Sequence, residues 1–239
     1  MAETLIHFHR FRVIEFVGRK ESEFKARLDA LAPTNIIRGT FEALITFDAS
    51  QQIIEKCEST KYKTELTQLD KDHPQQIIVS SHYDGEYPSI VQQIEEEILK
   101  DFQDFNILRI QIESLVSNVG VPETSIEKKL FWTQTNYFEF HYNAPVGKDR
   151  TGERFKKILN TYRSKNRLNS ENLLFSRIQS KQISEPNFHS INIMRLFNVG
   201  REKAFQIHNE ILESSKTDDL LILPRKTSFI VSDRYFHYK

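Results

Sequence analysis

The chain has 239 residues, 33 Lys+Arg against 33 Asp+Glu, 38% hydrophobic and 28% charged residues, and a mean hydropathy of −0.51. That composition excludes a collagen and a disordered chain, and no apolar run approaches the roughly 20 residues of a spanning helix. One cysteine, Cys57, permits neither an intramolecular disulfide nor a cysteine-rich zinc site, and the first residues lack a basic-then-apolar secretion pattern, so we expect a cytoplasmic protein held together by its cores.

Residues 11–18 alternate as a strand, 21–31 show helical spacing and 40–47 alternate again, which makes a βαβ unit. Residues 51–69 are polar, with Ile54, Cys57, Tyr62, Leu66 and Leu69 at roughly helical intervals, and are predicted to form a connecting helix. A strand over 75–85 is predicted to end in a glycine turn at Tyr83, Asp84 and Gly85, followed by a helix over 90–105 and a strand over 107–113. Gly120 and Pro122 interrupt both periodicities within 117–124, and we place a lobe boundary there, between 1–120 and 121–239. The second lobe repeats the plan. Strands over 137–142 and 172–178 flank a helix over 152–164, and a strand over 190–200 leads through Gly200 into a helix and then a strand over 227–232. Within these last helices 93–99 (QIEEEIL) and 206–212 (QIHNEIL) agree at five of seven places. Four βαβ units pair into two, so the expected architecture is α+β: tandem ferredoxin-like βαββαβ lobes formed by internal duplication, antiparallel sheets with helices on one face.

The neutral total hides an uneven distribution: 1–120 carries 13 basic and 20 acidic residues, and 121–239 carries 20 and 13. The basic stretch is densest over 148–181, where ten Lys or Arg meet three acids. Either the two halves attract each other or the basic lobe has an external partner.

Alternation also sorts the strands by face, since residues two apart point the same way. Against the apolar row Leu108, Ile110 and Ile112 stands Arg109, Gln111 and Glu113; against Phe138, Phe140 and Tyr142 stands Tyr137, Glu139, His141 and Asn143. Arg177 and Gln179 share a face, and so do Ile193, Arg195 and Phe197. If the two open sheets face each other, these rows line one cleft in which Arg109, Gln111, Arg177, Gln179 and Arg195 would bind phosphate, because arginine forks match its oxygens bidentately. His82, just before the glycine turn, joins this ligand-binding set near a helix N-terminus. Glu139 and His141 form a candidate acid–base pair, with Glu113 beside them. The competing reading is a solvated sheet face whose charges alternate outward without a function.

Other chemistry is poorly signalled. His7 and His9 share a face without a third ligand, Cys57 has no motif around it, and no metal or organic cofactor is indicated. No phosphate-cradling loop, dinucleotide fingerprint, zinc-protease motif or nucleophile elbow occurs. Arg154, Lys156, Lys157, Arg163, Lys165 and Arg167 surround an apolar stripe of Phe155, Ile158, Leu159 and Tyr162, a basic helix suited to a protein or nucleic-acid partner.

Two resemblances follow from these residues. The tandem βαββαβ plan is similar to that of the two-histidine (LigT-like) phosphoesterases, which implies a cleft between lobes for cyclic phosphates or RNA ends; their paired His-x-Ser or His-x-Thr motifs are absent, since none of the eight histidines precedes Ser or Thr by two places. From about 75 to 212 the motif order also resembles a bacterial protein family without an assigned activity, through Gly85, 109–113 (RIQIE), 118–122 (NVGVP), 137–141 (YFEFH), 166–170 (NRLNS) and 200–204 (GREKA). That resemblance implies that Glu113 and His141 belong to one site.

The leading expectation is therefore a protein that binds, and as an enzyme would process, a phosphate-containing small molecule or RNA end in an interlobe cleft, acting as a phosphoester hydrolase or transferase through His141 and Glu139. The alternative is a non-catalytic interaction protein that uses the basic helix over 154–167, or a regulatory factor whose chemistry the sequence does not disclose. No membrane partner is expected.

Overall fold

The structure is a computed structural model that describes residues 36–68, 73–143, 151–166, 168, 172–184, 189–217 and 222–236. The expected strand over 11–18, the helix over 21–31 and the His7/His9 pair lie outside these residues, as does Arg167. In chain order the described elements are β1 (Arg38–Asp48), α1 (Gln51–Glu58), β2 (Lys63–Gln68), β3 (Gln76–Glu86), α2 (Ser89–Asp101), β4 (Ile107–Leu115), α3 (Ser125–Phe131), β5 (Tyr137–Asn143), α4 (Thr151–Lys165), β6 (Leu173–Gln182), β7 (His189–Phe197), α5 (Arg201–Thr217) and β8 (Leu223–Tyr235).

The eight strands pair antiparallel in the order β1-β3-β2-β6-β7-β5-β8-β4, and β4 returns to β1, so they close a barrel. Closure explains why alternation is so clear in the sequence: each strand has one row under helices and one in the barrel. On β1, Phe41, Ala43, Ile45 and Phe47 are wholly buried. They meet α2, whose Ile90, Ile94 and Ile98 recur at helical spacing. In the other half Phe138, Phe140 and Tyr142 of β5 meet Phe155 and Leu159 of α4 and Ala204, Ile207 and Ile211 of α5. Each buried aromatic contributes about 1.5–3 kcal/mol of transfer free energy, so this outer layer carries most of the hydrophobic stabilisation.

The chain departs from the expected elements in four places. The helix expected over 51–69 stops at Glu58, where both the amide and the hydroxyl of Thr60 donate to Cys57 O, and 63–68 form β2 instead. Tyr62, Leu66 and Leu69 mimic a helical interval, but pairing of β2 with β3 and β6 decides the matter. The turn expected at Gly85 is absent: β3 runs on to Glu86, and Gly85 instead makes room for Ile90, whose Cδ1 would lie 2.7 Å from an added Cβ. Helix α3 was not expected, although Thr124 and Glu127 form a capping box around its first turn. Lastly, two sheets do not face one another across a cleft. They join edge to edge through β2–β6 and β4–β8, and the polar rows of β4 and β5 line the lumen of one barrel.

Gly120 sits where the expected boundary lies, with φ +91° and an added Cβ falling 1.9 Å from Ile36 O, so the link from β4 towards α3 requires glycine there. Among the described residues no helix is long and apolar enough to cross a membrane.

Candidate active site

The lumen is a ladder of charges built by register. Glu139 on β5 lies directly opposite Arg195 on β7, and Arg195 Nε donates to Glu139 Oε2 at 2.6 Å. His141, two residues along the same face, places Nε2 2.7 Å from Glu139 Oε1. Glu139 is 2% exposed. Burial opposes its ionisation, but the hydrogen bond from His141 and the positive charge of Arg195 prevail and hold its carboxyl well below the ordinary carboxylate range. Glu139 is then an anion, so Nε2 of His141 carries the proton it donates to that carboxylate. Nδ1 has no partner among the described residues.

Gln111 on β4 ties this pair to a second cluster, reaching Glu139 Oε1 at 3.5 Å and Glu113 Oε1 at 2.8 Å. Glu113 and Glu42 face each other across the β1–β4 ladder, a like-charge juxtaposition that is unfavourable by itself. Lys226 offsets it: Nζ lies 2.5 Å from Glu42 Oε2 and 2.7 Å from Glu113 Oε2, the latter an ion pair poorly aligned as a hydrogen bond. Burial alone would lower the Lys226 pKa, and the two carboxylates raise it above its ordinary value. His82 lies beside this cluster, 4.0 Å from Glu42 Oε2.

At the opposite end of the ladder Arg109 is clamped. Its Nε and Nη2 donate to the two carboxylate oxygens of Asp233 at 2.7 and 2.8 Å, Tyr137 Oη donates to the same carboxylate at 2.8 Å, and Tyr235 covers the guanidinium at 4.9 Å.

A cavity of about 530 Å³ occupies the lumen beyond His141, within the range of small-molecule sites. His141, Lys226, Glu42, His82, Glu65, Ser180 and Arg225 border it, with Leu44, Ile78, Ile178 and Ile191 as apolar wall. Cys57 also borders it, but burial pushes its thiol up to about 11, so it is protonated and unreactive at neutral pH. No group of three or more His, Cys, Asp or Glu side chains suited to a metal occurs among the described residues.

Of the residues singled out from sequence, the fold thus brings Arg109, Gln111, Glu113, Glu139, His141, Arg195 and His82 into one lumen. Arg177 and Gln179 are excluded from it. On β6 the inward residues are Ser176, Ile178 and Ser180, since Ser176 receives Arg195 Nη1 and the others line the cavity. Arg177 and Gln179 therefore share the outer face with Leu173 and Phe175, where Arg177 Nε donates to Ser190 Oγ. Moreover, Arg109 and Arg195 have internal carboxylate partners, which takes them from the phosphate-binding role expected of them. Glu42, Lys226, Glu65 and Arg225 were missed. Glu42 was legible from the alternation of β1, whereas Arg225 and Lys226 precede the apolar run 227–232 and read as turn residues.

No family model matches the chain, and no curated protein matches it. Among solved structures it is similar to an aldoxime dehydratase at 8% identity and a TM-score of 0.33, covering 86% of this chain and 89% of that one. It is also similar to an unknown protein from Galdieria sulphuraria at 11% identity and a TM-score of 0.25, covering 81% and 99% of the two chains. At these TM-scores the likenesses carry no argument about function.

Proposed function

We propose that the barrel lumen binds a small molecule with an anionic group, a phosphate in the form the sequence led us to expect, and that His141 transfers a proton to or from it. The observation that carries this reading is His141 at the border of the cavity with Nε2 committed to the buried Glu139 carboxylate. A donor–acceptor chain from Arg195 through Glu139 fixes the ring and its tautomer, which is the arrangement a general base requires. We also read the two halves as duplicated ferredoxin-like lobes. The strand orders β4-β1-β3-β2 and β8-β5-β7-β6 support this, as do the matching segments 93–99 and 206–212, which fall in α2 and α5, the second βαβ helix of each half.

The test is a panel of nucleotides, cyclic phosphates, sugar phosphates and short RNAs, screened by thermal stability and then by turnover. A ligand that binds the native state raises the melting temperature by mass action. His141→Gln should then lower turnover by about 10²–10⁴-fold and leave affinity nearly unchanged. An unaltered rate in His141→Gln, or no stabilising ligand, would reject the reading.

A second reading rests on α4, where Lys156, Lys157 and Lys165 are exposed along one surface groove while Phe155, Ile158, Leu159 and Tyr162 are buried. Under it, Lys156→Glu with Lys157→Glu abolishes salt-dependent binding to RNA or an acidic protein.

A further inference from the structure

Arg225 owes its position to an irregularity in β8. In the ladder with β5, Tyr142 pairs with Pro224 and His141 with Lys226, so Arg225 is an extra residue without a counterpart. In a regular strand consecutive side chains point to opposite faces. Here the bulge turns both Arg225 and Lys226 into the cavity, as bulges beside functional sites often do. The guanidinium then spans the lumen: Nη2 lies 3.2 Å from Glu65 Oε1 on β2, a strand four places from β8 in either direction around the barrel. The same Glu65 oxygen accepts from the buried Ser180 hydroxyl.

The contrast with the other lumen arginines decides what this contact can do. Arg109 is held bidentately by Asp233, and Arg195 is held by Glu139 and Ser176. Arg225 makes one long monodentate contact, its side chain is 38% exposed, and its remaining donors have no partner among the described residues. A half-exposed pair of this kind stabilises little, so exchanging it for a bidentate oxyanion, which matches the guanidinium fork, is favourable. Because Lys226 is the register partner of His141, Arg225 is one residue along β8 from the position opposite the proposed acid–base group, and both border the same cavity.

We propose that Arg225 is the residue that receives the oxyanion of the ligand, and that Glu65 is an internal anion which occupies it until the ligand arrives. This deepens the function proposed above and rests on it. The shared chemistry is a phosphate or a carboxylate on a small molecule whose apolar part lies against Leu44, Ile78, Ile178 and Ile191.

The experiment titrates the full chain with phenyl phosphate, benzoate and uncharged benzamide, following the histidine ring signals by NMR and the affinity by calorimetry. At least one of the two anions should bind more tightly than benzamide and shift the His141 and His82 signals; phenyl phosphate alone would identify a phosphate ligand, benzoate alone a carboxylate. Arg225→Gln should weaken that anion by about tenfold or more, and Glu65→Gln should strengthen it by about threefold to tenfold, because the competing carboxylate is gone. Opposite signs are the decisive readout, since a pair that merely braces the barrel would weaken binding from either side. Arg225→Lys, which keeps charge but not the fork, should fall between wild type and Arg225→Gln and stands in if the glutamine variant does not fold. Anion binding that shifts His141 but ignores Arg225→Gln would overturn the anchor while leaving the lumen site standing. Absence of any anion-induced shift at His141 would overturn both.

Discussion

At the scale of single residues the lumen shows how a buried charge is kept. Glu139 is almost wholly inaccessible, and breaking a buried pair from one side typically costs about 3–5 kcal/mol because the remaining charge stays uncompensated. Arg195→Met should therefore destabilise the protein by roughly that amount at neutral pH, and adding Glu139→Gln should recover a large part of it, as read from urea denaturation. The native carboxyl of Glu139 titrates below its ordinary value of 4.5. Its contribution is thus complete above that value and is lost as pH falls towards the native one.

His208 on α5 behaves in the opposite chemical sense with the same pH direction. It stacks on Phe140 with ring centroids 4.8 Å apart, and its Nδ1 lies 2.8 Å from Tyr142 Oη. Burial lowers its pKa below 6.5, so the folded state prefers the neutral ring. The stability it lends is present above 6.5 and declines as acid protonates it. The melting temperature should accordingly fall between about pH 7.5 and about pH 5.5, and His208→Phe should flatten that part of the profile. Lys128 is also buried; it is 1% exposed, its Nζ donates to Thr133 O at 2.7 Å, and burial lowers its pKa to about 8.

At the scale of elements, the junction between α3 and α5 is a close approach of backbone to backbone. Gly200 precedes α5, and a Cβ there would lie 2.2 Å from the carbonyl carbon of Thr124, the N-cap of α3. No flexible side-chain end is available to yield. Gly200→Ala should therefore destabilise by about 1–3 kcal/mol, the usual cost of overpacking, measurable as a shift in the urea midpoint at unchanged slope. The element least legible in sequence is β2. Its residues KTELTQ are polar because several line the cavity and only Thr67 is buried, so the signal that marks a strand by an apolar row is missing. The turn expected at Gly85 failed for a related reason: glycine marks a turn when it supplies backbone freedom, and here it supplies space for Ile90.

At the scale of the whole molecule, closure is what makes the lumen. If 36–120 were produced alone, β2 and β4 would both be unpaired edges, and exposed edges recruit other chains. That fragment should be oligomeric or insoluble by size-exclusion chromatography, whereas co-production with 121–239 should yield a one-to-one assembly. A monomeric, well-folded 36–120 fragment would show that the edge pairings β2–β6 and β4–β8 are dispensable.

The α+β class, most strands and the inward row of Arg109, Gln111, Glu113, Glu139 and His141 were determined by the sequence alone, because a strand with one buried row writes its period of two directly into residue order. Tertiary structure alone decided the rest. Whether two sheets face or fuse depends on edge pairings between residues more than a hundred positions apart, such as Glu65 with Gln182, and local periodicity carries no record of them. The same holds for the partners of the arginines. Asp233 reaches Arg109 and Arg225 reaches Glu65 only because bulges in β8 and the curvature of a closed barrel bring opposite parts of the chain into one lumen.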